Sequence, residues 1–171
     1  MRICALTMVY RDYWAISQWY KHYARHLGPE NLFIIAHGRD DKIAELCPKA
    51  QVIVAPRGDL SRFDQRRGKM LNAIQKELGE IFDWVIRTDA DELICVDPAR
   101  FGSFAEMFGS TTAPAVFALG LNLVELDGDR VLKRDQPVLN ARANAVFSGH
   151  YSKAFAVRDE TRLMRHGVKV R

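Results

Sequence analysis

The stretch Trp84–Glu92 (WVIRTDADE) joins a short apolar run directly to a cluster of acidic residues. Trp84–Thr88 has apolar side chains on both faces, which is typical of a strand at the centre of a parallel sheet that helices cover on both sides. In extended backbone, residues i and i+2 point the same way, so Asp89 and Asp91 can face one site. Ligands of open α/β sheets bind at the carboxyl ends of the strands. The stretch predicts either an acidic ligand site there or a simple acidic turn.

Upstream of this stretch, predicted strands alternate with predicted helices. Asp12 is a suitable N-cap for the first helix, and Gly28-Pro29 is a suitable stop. Such an alternation is typical of right-handed crossovers onto a mostly parallel sheet, so the predicted fold class is α/β. The predicted strands are Ile3–Val9, Leu32–Ala36, Val52–Ala55 and Trp84–Thr88, and the predicted helices lie between Asp12 and Gly28, over Asp41–Leu46 and over Phe63–Leu78.

Downstream of about residue 100 the pattern is less regular. Phe101–Phe108 is predicted as a short helix. Ala115–Leu126 and Val131–Val138 are predicted as extended, partly antiparallel segments. The turn residues Asp127-Gly128-Asp129 lie between them and suggest a hairpin.

Length and composition favour one globular domain. The 171 residues are 48% hydrophobic and 27% charged, and their formal net charge is +4. Basic residues concentrate in 57–69 and 158–171, where five basic residues stand against two acidic ones in each segment. A nucleic-acid-binding coat would show a broader and larger excess. The two segments therefore suggest a smaller anionic ligand or ordinary solvated surfaces, and no nucleic-acid partner is expected.

The cysteines and the apolar stretches predict a soluble cytoplasmic protein, with a peripheral position at the inner face of a membrane as the other option. Cys4, Cys47 and Cys95 are far apart and odd in number, which fits a reducing compartment. The N-terminus lacks the long apolar region of a signal peptide. The most apolar stretch, 113–126, is too short to span a membrane.

Arg66–Asn72 (RRGKMLN) is the second unusual segment, early in the third predicted helix. It lacks the spacing of a Walker phosphate-binding loop. Lys69 and Asn72 are three residues apart and would share one helix face. Gly68 is mildly unfavourable inside a helix, so it suggests close approach by another backbone or by a ligand. The alternative is a basic, solvated helix turn.

Together these segments resemble the donor-binding half of family-2-type glycosyltransferases with the GT-A fold. The resemblance rests on Arg66–Asn72 (RRGKMLN) in a helix, then a strand and D-A-D, with Glu92 as in the branch whose motif reads D-x-D-E. Tyr10-Arg11-Asp12 is similar to the family's entry into its first helix, and residues 32–41 align with its second strand. The resemblance covers about residues 1–100. The whole chain, residues 1–171, is predicted to form a single GT-A-like domain. Residues 101–171 would then form an acceptor-side half, expected to be truncated.

The resemblance implies metal-assisted, inverting transfer of a sugar from a nucleoside-diphosphate sugar to a hydroxyl of a glycan, a lipid or another acceptor. Asp91, with Asp89, would hold Mn²⁺ or Mg²⁺, since a hard cation prefers oxygen ligands and stabilises the departing diphosphate. The implied donor-binding residues are Thr7, Tyr10, Arg11, His37, Asp59, Arg66, Lys69, Asn72, Asp89 and Ala90.

Several assignments stay open at this stage. His37 stands where the family usually has an acid, so it is either a substitute hydrogen-bond donor or an ordinary loop histidine, and Asp59 is either a nucleoside contact or a loop cap. The catalytic base is not assigned; candidates by position alone are Glu125, Asp127 and Asp159, with His150 and His166 beside them.

Two other functions compete with the glycosyltransferase hypothesis. One is a non-catalytic nucleotide- or carbohydrate-binding domain, or an inactive fragment. The other is a sugar-phosphate nucleotidyltransferase, which would have a glycine-rich loop after its first strand, where Thr7–Arg11 contains no glycine.

Overall fold

A computed structural model describes residues 1–133, 135–164 and 169–170. Its centre is a six-stranded sheet in the order β3-β2-β1-β4-β8-β5. The first four strands are parallel, β8 runs antiparallel to β4, and β5 runs antiparallel to β8. The sheet strands are β1 (Ile3–Val9), β2 (Leu32–His37), β3 (Gln51–Ala55), β4 (Trp84–Arg87), β5 (Ala115–Ala118) and β8 (Lys153–Val157). The predicted fold class, α/β with a mostly parallel central sheet, is confirmed.

Helices follow the strands as the sequence predicts. Asp12 caps the first helix by accepting a hydrogen bond from the backbone N–H of Ala15, at 3.0 Å. Gly28 ends the same helix with φ of 86°, a conformation that glycine adopts without strain. The helices are α1 (Tyr13–Leu27), α2 (Asp41–Leu46), α3 (Phe63–Gly79) and α4 (Phe104–Gly109), and short 3₁₀ turns cover Pro29–Asn31 and Val138–Asn140.

The core lies on both faces of the sheet. On one face, Trp19 and Tyr23 of α1 pack with Trp84 and with Phe108 of α4, and the Trp84 and Phe108 rings stack at 4.4 Å between centroids. On the other face, Leu71 and Leu78 of α3 cover the sheet. Every residue of β1 is buried, as expected for a central strand between two layers of helices.

The hairpin prediction for residues 115–138 is wrong. The turn at Asp127-Gly128 forms, but β6 (Leu121–Val124) pairs with β7 (Asn144–Phe147) in a separate two-stranded ribbon. The described residues of 131–138 contain no strand, because part of this segment docks on α1. Gln18 donates to the carbonyl of Gln136 and accepts from the N–H of Val138.

In the second half of the chain, other elements differ less from the predicted ones. The predicted helix at Phe101 begins only at Phe104, because Ser103 caps it by accepting from the N–H of Glu106. A short antiparallel pair, β9 (Leu163–Met164) and β10 (Lys169–Val170), ends the described chain. Across the described ranges, no helix has the length and apolar character needed to cross a membrane.

Candidate functional site

A cavity of about 580 Å³, called the large cavity below, opens at the carboxyl end of β4, between α3 and β8. Its position is the carboxyl edge of the parallel strands, where open α/β sheets bind ligands. Residues of α3, β4, β8 and β9 and of the turn after β4 line it. The charged ones are Asp64, Arg67 and Lys69 of α3, Arg87 of β4, Asp89 and Glu92 after β4, and Lys153 of β8.

Asp89 is the centre of an ion-pair network inside this cavity. Its Oδ1 pairs with the guanidinium of Arg67, and its Oδ2 lies 3.4 Å from Nζ of Lys153. The same Nζ is 2.6 Å from Oε1 of Glu92. The side chains of Arg67 and Lys153 are only 14% and 12% exposed. These pairs are therefore largely shielded from water, where charge–charge interactions are screened much less than at the surface.

Arg87 is a further cation at the cavity wall. Its guanidinium donates to the side-chain oxygens of Asn72, at 2.6 Å, and Gln75, at 3.3 Å, both on α3. Burial and the nearby charge of Arg67 lower the pKa of Arg87 to about 10, so it stays protonated at neutral pH. Arg87 thus joins the end of β4 to α3 and adds positive charge to the cavity.

Buried hydrogen bonds hold the end of β4 in place. The hydroxyl of Thr7 donates to the carbonyl of Thr88, and the indole N–H of Trp19 donates to the Thr88 hydroxyl, both at 2.9 Å. The following turn closes when the N–H of Asp89 donates to Oε2 of Glu92, at 3.1 Å. Because these partners lie in the core, the acidic turn has a fixed position at the sheet edge.

Lys153 is positioned by a turn that packs against Gly120. The N–H of Ser148 donates to the carbonyl of Gly120, and the N–H of Gly120 donates to the hydroxyl of Ser152. A Cβ on Gly120 would lie 2.5 Å from the carbonyl carbon of Tyr151, which is too close for any other residue. The turn therefore fixes the start of β8 and, with it, Lys153.

Gly68 of α3 lines the large cavity and is partly buried. A Cβ built on it would meet no atom within 4 Å among the described residues. No neighbouring backbone therefore requires a glycine at this position. The open space leaves the alternative reason for a glycine, approach by a ligand.

A second, smaller cavity of about 110 Å³ lies at the ends of β1 and β2. Tyr10, Arg11 and His37, three of the predicted donor-binding residues, line it together with Arg57. The Arg57 guanidinium lies 3.6 Å from the centroid of the Tyr10 ring and donates to Nδ1 of His37, at 3.0 Å. Burial and the Arg57 charge lower the pKa of His37, so its ring is neutral at pH 7 and its Nδ1 can accept.

The first turn of α3 lies between the two cavities. The ring of Phe63 stacks on His37, which lines the small cavity, at 4.8 Å between centroids, whereas the next residue, Asp64, lines the large cavity. Neighbouring residues of this turn thus contact the linings of both cavities.

The predicted site residues divide into three groups. Lys69, Asn72 and Asp89 line the large cavity, and Tyr10, Arg11 and His37 line the small one. Thr7 and Ala90 are buried in the structure, and Asp59 pairs with Arg66 in the loop before α3. Asp91 is exposed and outside both linings.

Those candidates for a catalytic base that the structure describes lie outside both cavities. Glu125 pairs with Arg142, Asp159 pairs with Arg158, and Asp127 and His150 are exposed in turns. His166 lies outside the described residues. No candidate that the sequence offered for this role contacts the large cavity among those the structure describes.

Sequence reasoning missed several residues of the large cavity. Arg67 could have been found, since it lies four positions before the buried Leu71 and so shares the sheet-facing side of α3, whereas Arg66 faces the exposed loop. Glu92 was noted only as part of a motif. Lys153 gave no local signal, because it is 64 residues from Asp89 in the chain.

The acidic residues present do not fit a resident Mg²⁺ or Mn²⁺. Each carboxylate oxygen of Asp89 and Glu92 already faces a donor: Arg67, Lys153 or the N–H of Asp89. Asp91 does not share their cavity. Within the described ranges, His, Cys, Asp and Glu side chains form no cluster of three or more that could hold a metal ion. A hard cation would have to compete with ammonium and guanidinium groups for these oxygens.

Comparisons with known proteins support the fold. The solved structure of a 4-diphosphocytidyl-2C-methyl-D-erythritol synthase is similar over 94% of this chain and 76% of that one, with a TM-score of 0.50 and 12% sequence identity. The chain shares an α/β fold with that enzyme, with a mostly parallel central sheet flanked by helices. At this identity the likeness concerns fold alone. No protein-family model and no curated protein matches the sequence.

Proposed function

We propose that this protein transfers a glycosyl group from a nucleoside-diphosphate sugar to an acceptor hydroxyl. The observation that carries the proposal is the large cavity, where cations from α3, β4 and β8 converge at the carboxyl edge of the sheet. Departure of a nucleoside diphosphate builds negative charge on its phosphate oxygens. Fixed cations in a partly dry site stabilise such charge without reorganising during the reaction.

Arg67, Lys69 and Lys153 have the chemistry that diphosphate binding needs. A guanidinium binds phosphate oxygens through two parallel N–H groups, and an ammonium acts as a mobile point charge. In this proposal the phosphates lie in the large cavity and the nucleoside extends past Phe63 towards Tyr10 and His37, in keeping with the donor role predicted for them.

An acceptor hydroxyl also needs a general base within hydrogen-bond reach. The large cavity provides three carboxylates, those of Asp64, Asp89 and Glu92. Asp89 and Glu92 are engaged by Lys153, whereas Asp64 lies in the exposed first turn of α3. Asp64 is therefore the strongest candidate for the base.

Nucleotidyl transfer is the second candidate function. It is favoured by the structural likeness to a synthase whose product contains a cytidyl diphosphate group, over 94% of this chain. The β1–α1 connection argues against it, because only Tyr10, Arg11 and Asp12 join the strand to the helix and none is a glycine. The two reactions differ in their products. Glycosyl transfer releases a nucleoside diphosphate, whereas nucleotidyl transfer releases pyrophosphate from a nucleoside triphosphate and a sugar phosphate.

Thermal-shift measurements provide the first test, with nucleoside diphosphates, their sugars and nucleoside triphosphates as probes. A ligand that binds only the folded protein raises the unfolding midpoint by mass action. We expect a nucleoside diphosphate and its sugar to raise the midpoint of the wild type, and Lys69→Met to weaken the shift. Lys76→Met, an exposed lysine near the end of the same helix, is the matched control and should behave as wild type.

The product assay then separates the two functions. Release of a nucleoside diphosphate from the donor that binds supports glycosyl transfer. Release of pyrophosphate when a nucleoside triphosphate reacts with a sugar phosphate would instead support nucleotidyl transfer, the second candidate function. Binding of none of these ligands would reject both.

A further inference from the structure

Lys153 occupies the position between the two acidic groups of the large cavity. Its Nζ lies 2.6 Å from Glu92 and 3.4 Å from Asp89, and its side chain is 12% exposed. The lysine comes from β8, which runs antiparallel to β4, so it reaches the acidic turn from the neighbouring strand. One ammonium group thus lies between two carboxylates that would otherwise repel each other, and reduces that repulsion.

The other side of Asp89 is neutralised as well. Arg67 pairs with Oδ1, whereas the ammonium of Lys153 lies 3.4 Å from Oδ2. Both cations are therefore held at the cavity by the same carboxylate. Any cation that bound Asp89 and Glu92 together would have to displace the ammonium of Lys153 or accept its repulsion at close range.

The charge that remains in the cavity is positive. Among the described residues, its lining contains four cationic side chains, Arg67, Lys69, Arg87 and Lys153, and three acidic ones, Asp64, Asp89 and Glu92. The acidic residues at its inner end are paired, whereas Lys69 is exposed at the cavity rim. The cavity therefore suits an anion that brings no metal ion of its own.

We propose that Lys153 takes the place of a divalent cation in this cavity, so that the protein binds a diphosphate group without Mg²⁺ or Mn²⁺. The inference rests on the proposed function for the identity of the ligand. It differs from the metal-assisted reaction that the Asp89-Ala90-Asp91 motif suggests. Asp89 is then a positioning residue: it holds Arg67 and Lys153 where the phosphate oxygens bind.

Titration of Mn²⁺, followed by electron paramagnetic resonance of the free ion, tests the substitution directly. We expect no saturable Mn²⁺ site in wild type. Lys153→Met should create one, because it leaves Asp89 and Glu92 without the ammonium that neutralises them. The double variant Asp89→Asn/Lys153→Met should lose the new site. A saturable Mn²⁺ site in wild type that Asp89→Asn removes would overturn the proposal.

Calorimetric titration with inorganic pyrophosphate tests the ligand side of the proposal. In EDTA, we expect wild type to bind pyrophosphate, Lys153→Met and Arg67→Met to bind it at least about tenfold more weakly, and Lys153→Arg to retain most of the affinity. Lys76→Met is the control and should leave the affinity within about twofold of wild type.

The wild-type measurement decides the proposal even if Lys153→Met fails to fold. Pyrophosphate binding that is present in EDTA supports it. Binding that requires Mg²⁺, or no binding in either buffer, overturns it. The outcome is separate from that of the proposed function. A nucleoside diphosphate that binds only with Mg²⁺ would reject this inference and keep the glycosyltransferase proposal. Pyrophosphate binding in EDTA without any nucleotide binding would keep this inference and reject the glycosyltransferase proposal.

Discussion

The two cavities at the carboxyl edge of the sheet differ in how their side chains are held. In the large one, charges of opposite sign pair across α3, β8 and the turn after β4, with Asp89 between Arg67 and Lys153. In the small one, planar groups stack: Arg57 lies over Tyr10, and His37 lies on Phe63.

This difference indicates which part of a ligand each cavity suits. Ion pairs can be redistributed towards a new anion, so the large cavity is suited to phosphate groups. Stacked planar groups offer flat surfaces, so the small cavity is suited to the planar part of a ligand, beside the positive charges of Arg11, Arg39 and Arg57. The predictions below change one cavity at a time, in order of decreasing expected effect.

Asp89 and Asp91 form a matched pair two residues apart. Asp89→Asn removes the charge that compensates Arg67 and Lys153, so we expect the free energy of unfolding to fall by about 2 kcal/mol, a value reduced for the partial exposure of the carboxylate. Asp91→Asn changes an exposed side chain, and we expect a change within about 0.5 kcal/mol. Urea unfolding of the three proteins measures both. A larger effect at Asp91 would contradict the assignment of Asp89 to the site.

Gly68→Ala should act in opposite directions on stability and on binding. A methyl group at this position meets no described atom, so the better helix propensity of alanine should raise the free energy of unfolding by about 0.5–1 kcal/mol. The same methyl group projects at the cavity and should weaken pyrophosphate or nucleotide binding.

Ala73→Gly, at an exposed position of the same helix, is the control: it should lower stability by about as much and leave binding unchanged. Unchanged binding in Gly68→Ala would show that the ligand does not approach this part of α3.

Arg57→Met tests the small cavity. It removes the contact with the Tyr10 ring and the hydrogen bond to His37, so we expect the free energy of unfolding to fall by about 0.5–1 kcal/mol. Pyrophosphate affinity should stay at the wild-type value while affinity for a whole nucleotide falls. The control is Arg66→Met, whose partner Asp59 is in the exposed loop before α3. Equal losses of pyrophosphate and nucleotide binding in Arg57→Met would remove the distinction between the cavities.

The pH dependence of stability supplies the smallest predicted effect. His37 has a lowered pKa in the folded protein, so below its ordinary pKa of 6.5 the unfolded chain binds the proton more readily. Stability should therefore fall as the pH decreases from 7.5 to 5.5. His22 has a lowered pKa for the same reason, burial, so the difference between wild type and His37→Asn isolates the contribution of His37. A pH dependence that is identical in the two proteins would contradict a neutral His37.

The sequence predicts the elements of the first half well because their signals are local. Asp12 and Gly28 act on residues within one helix turn, and they mark the two ends of α1 in the structure. The turn at Asp127-Gly128 is likewise local and forms as predicted. The partner strand of β6 is not the next segment along the chain, because contacts with α1 hold part of the segment that follows the turn.

The residues of the candidate site also divide into those with a local signal in the sequence and those without one. Lys69, Asn72 and Asp89 were predicted from short motifs, and all three line the large cavity. The partners of Asp89 come from 22 and 64 residues away, so neither pairing has a sequence signal. These distant partners also decide the chemistry, because they neutralise the carboxylates that the motif alone assigns to a metal ion.

A crystal structure with the nucleoside diphosphate that gives the largest thermal shift is the most direct test of the central claim. The account predicts that its phosphates contact Arg67, Lys69 and Lys153 in the large cavity, with the nucleoside across the first turn of α3. Phosphates bound in the small cavity, or anywhere outside the α3–β4–β8 cavity, would contradict it.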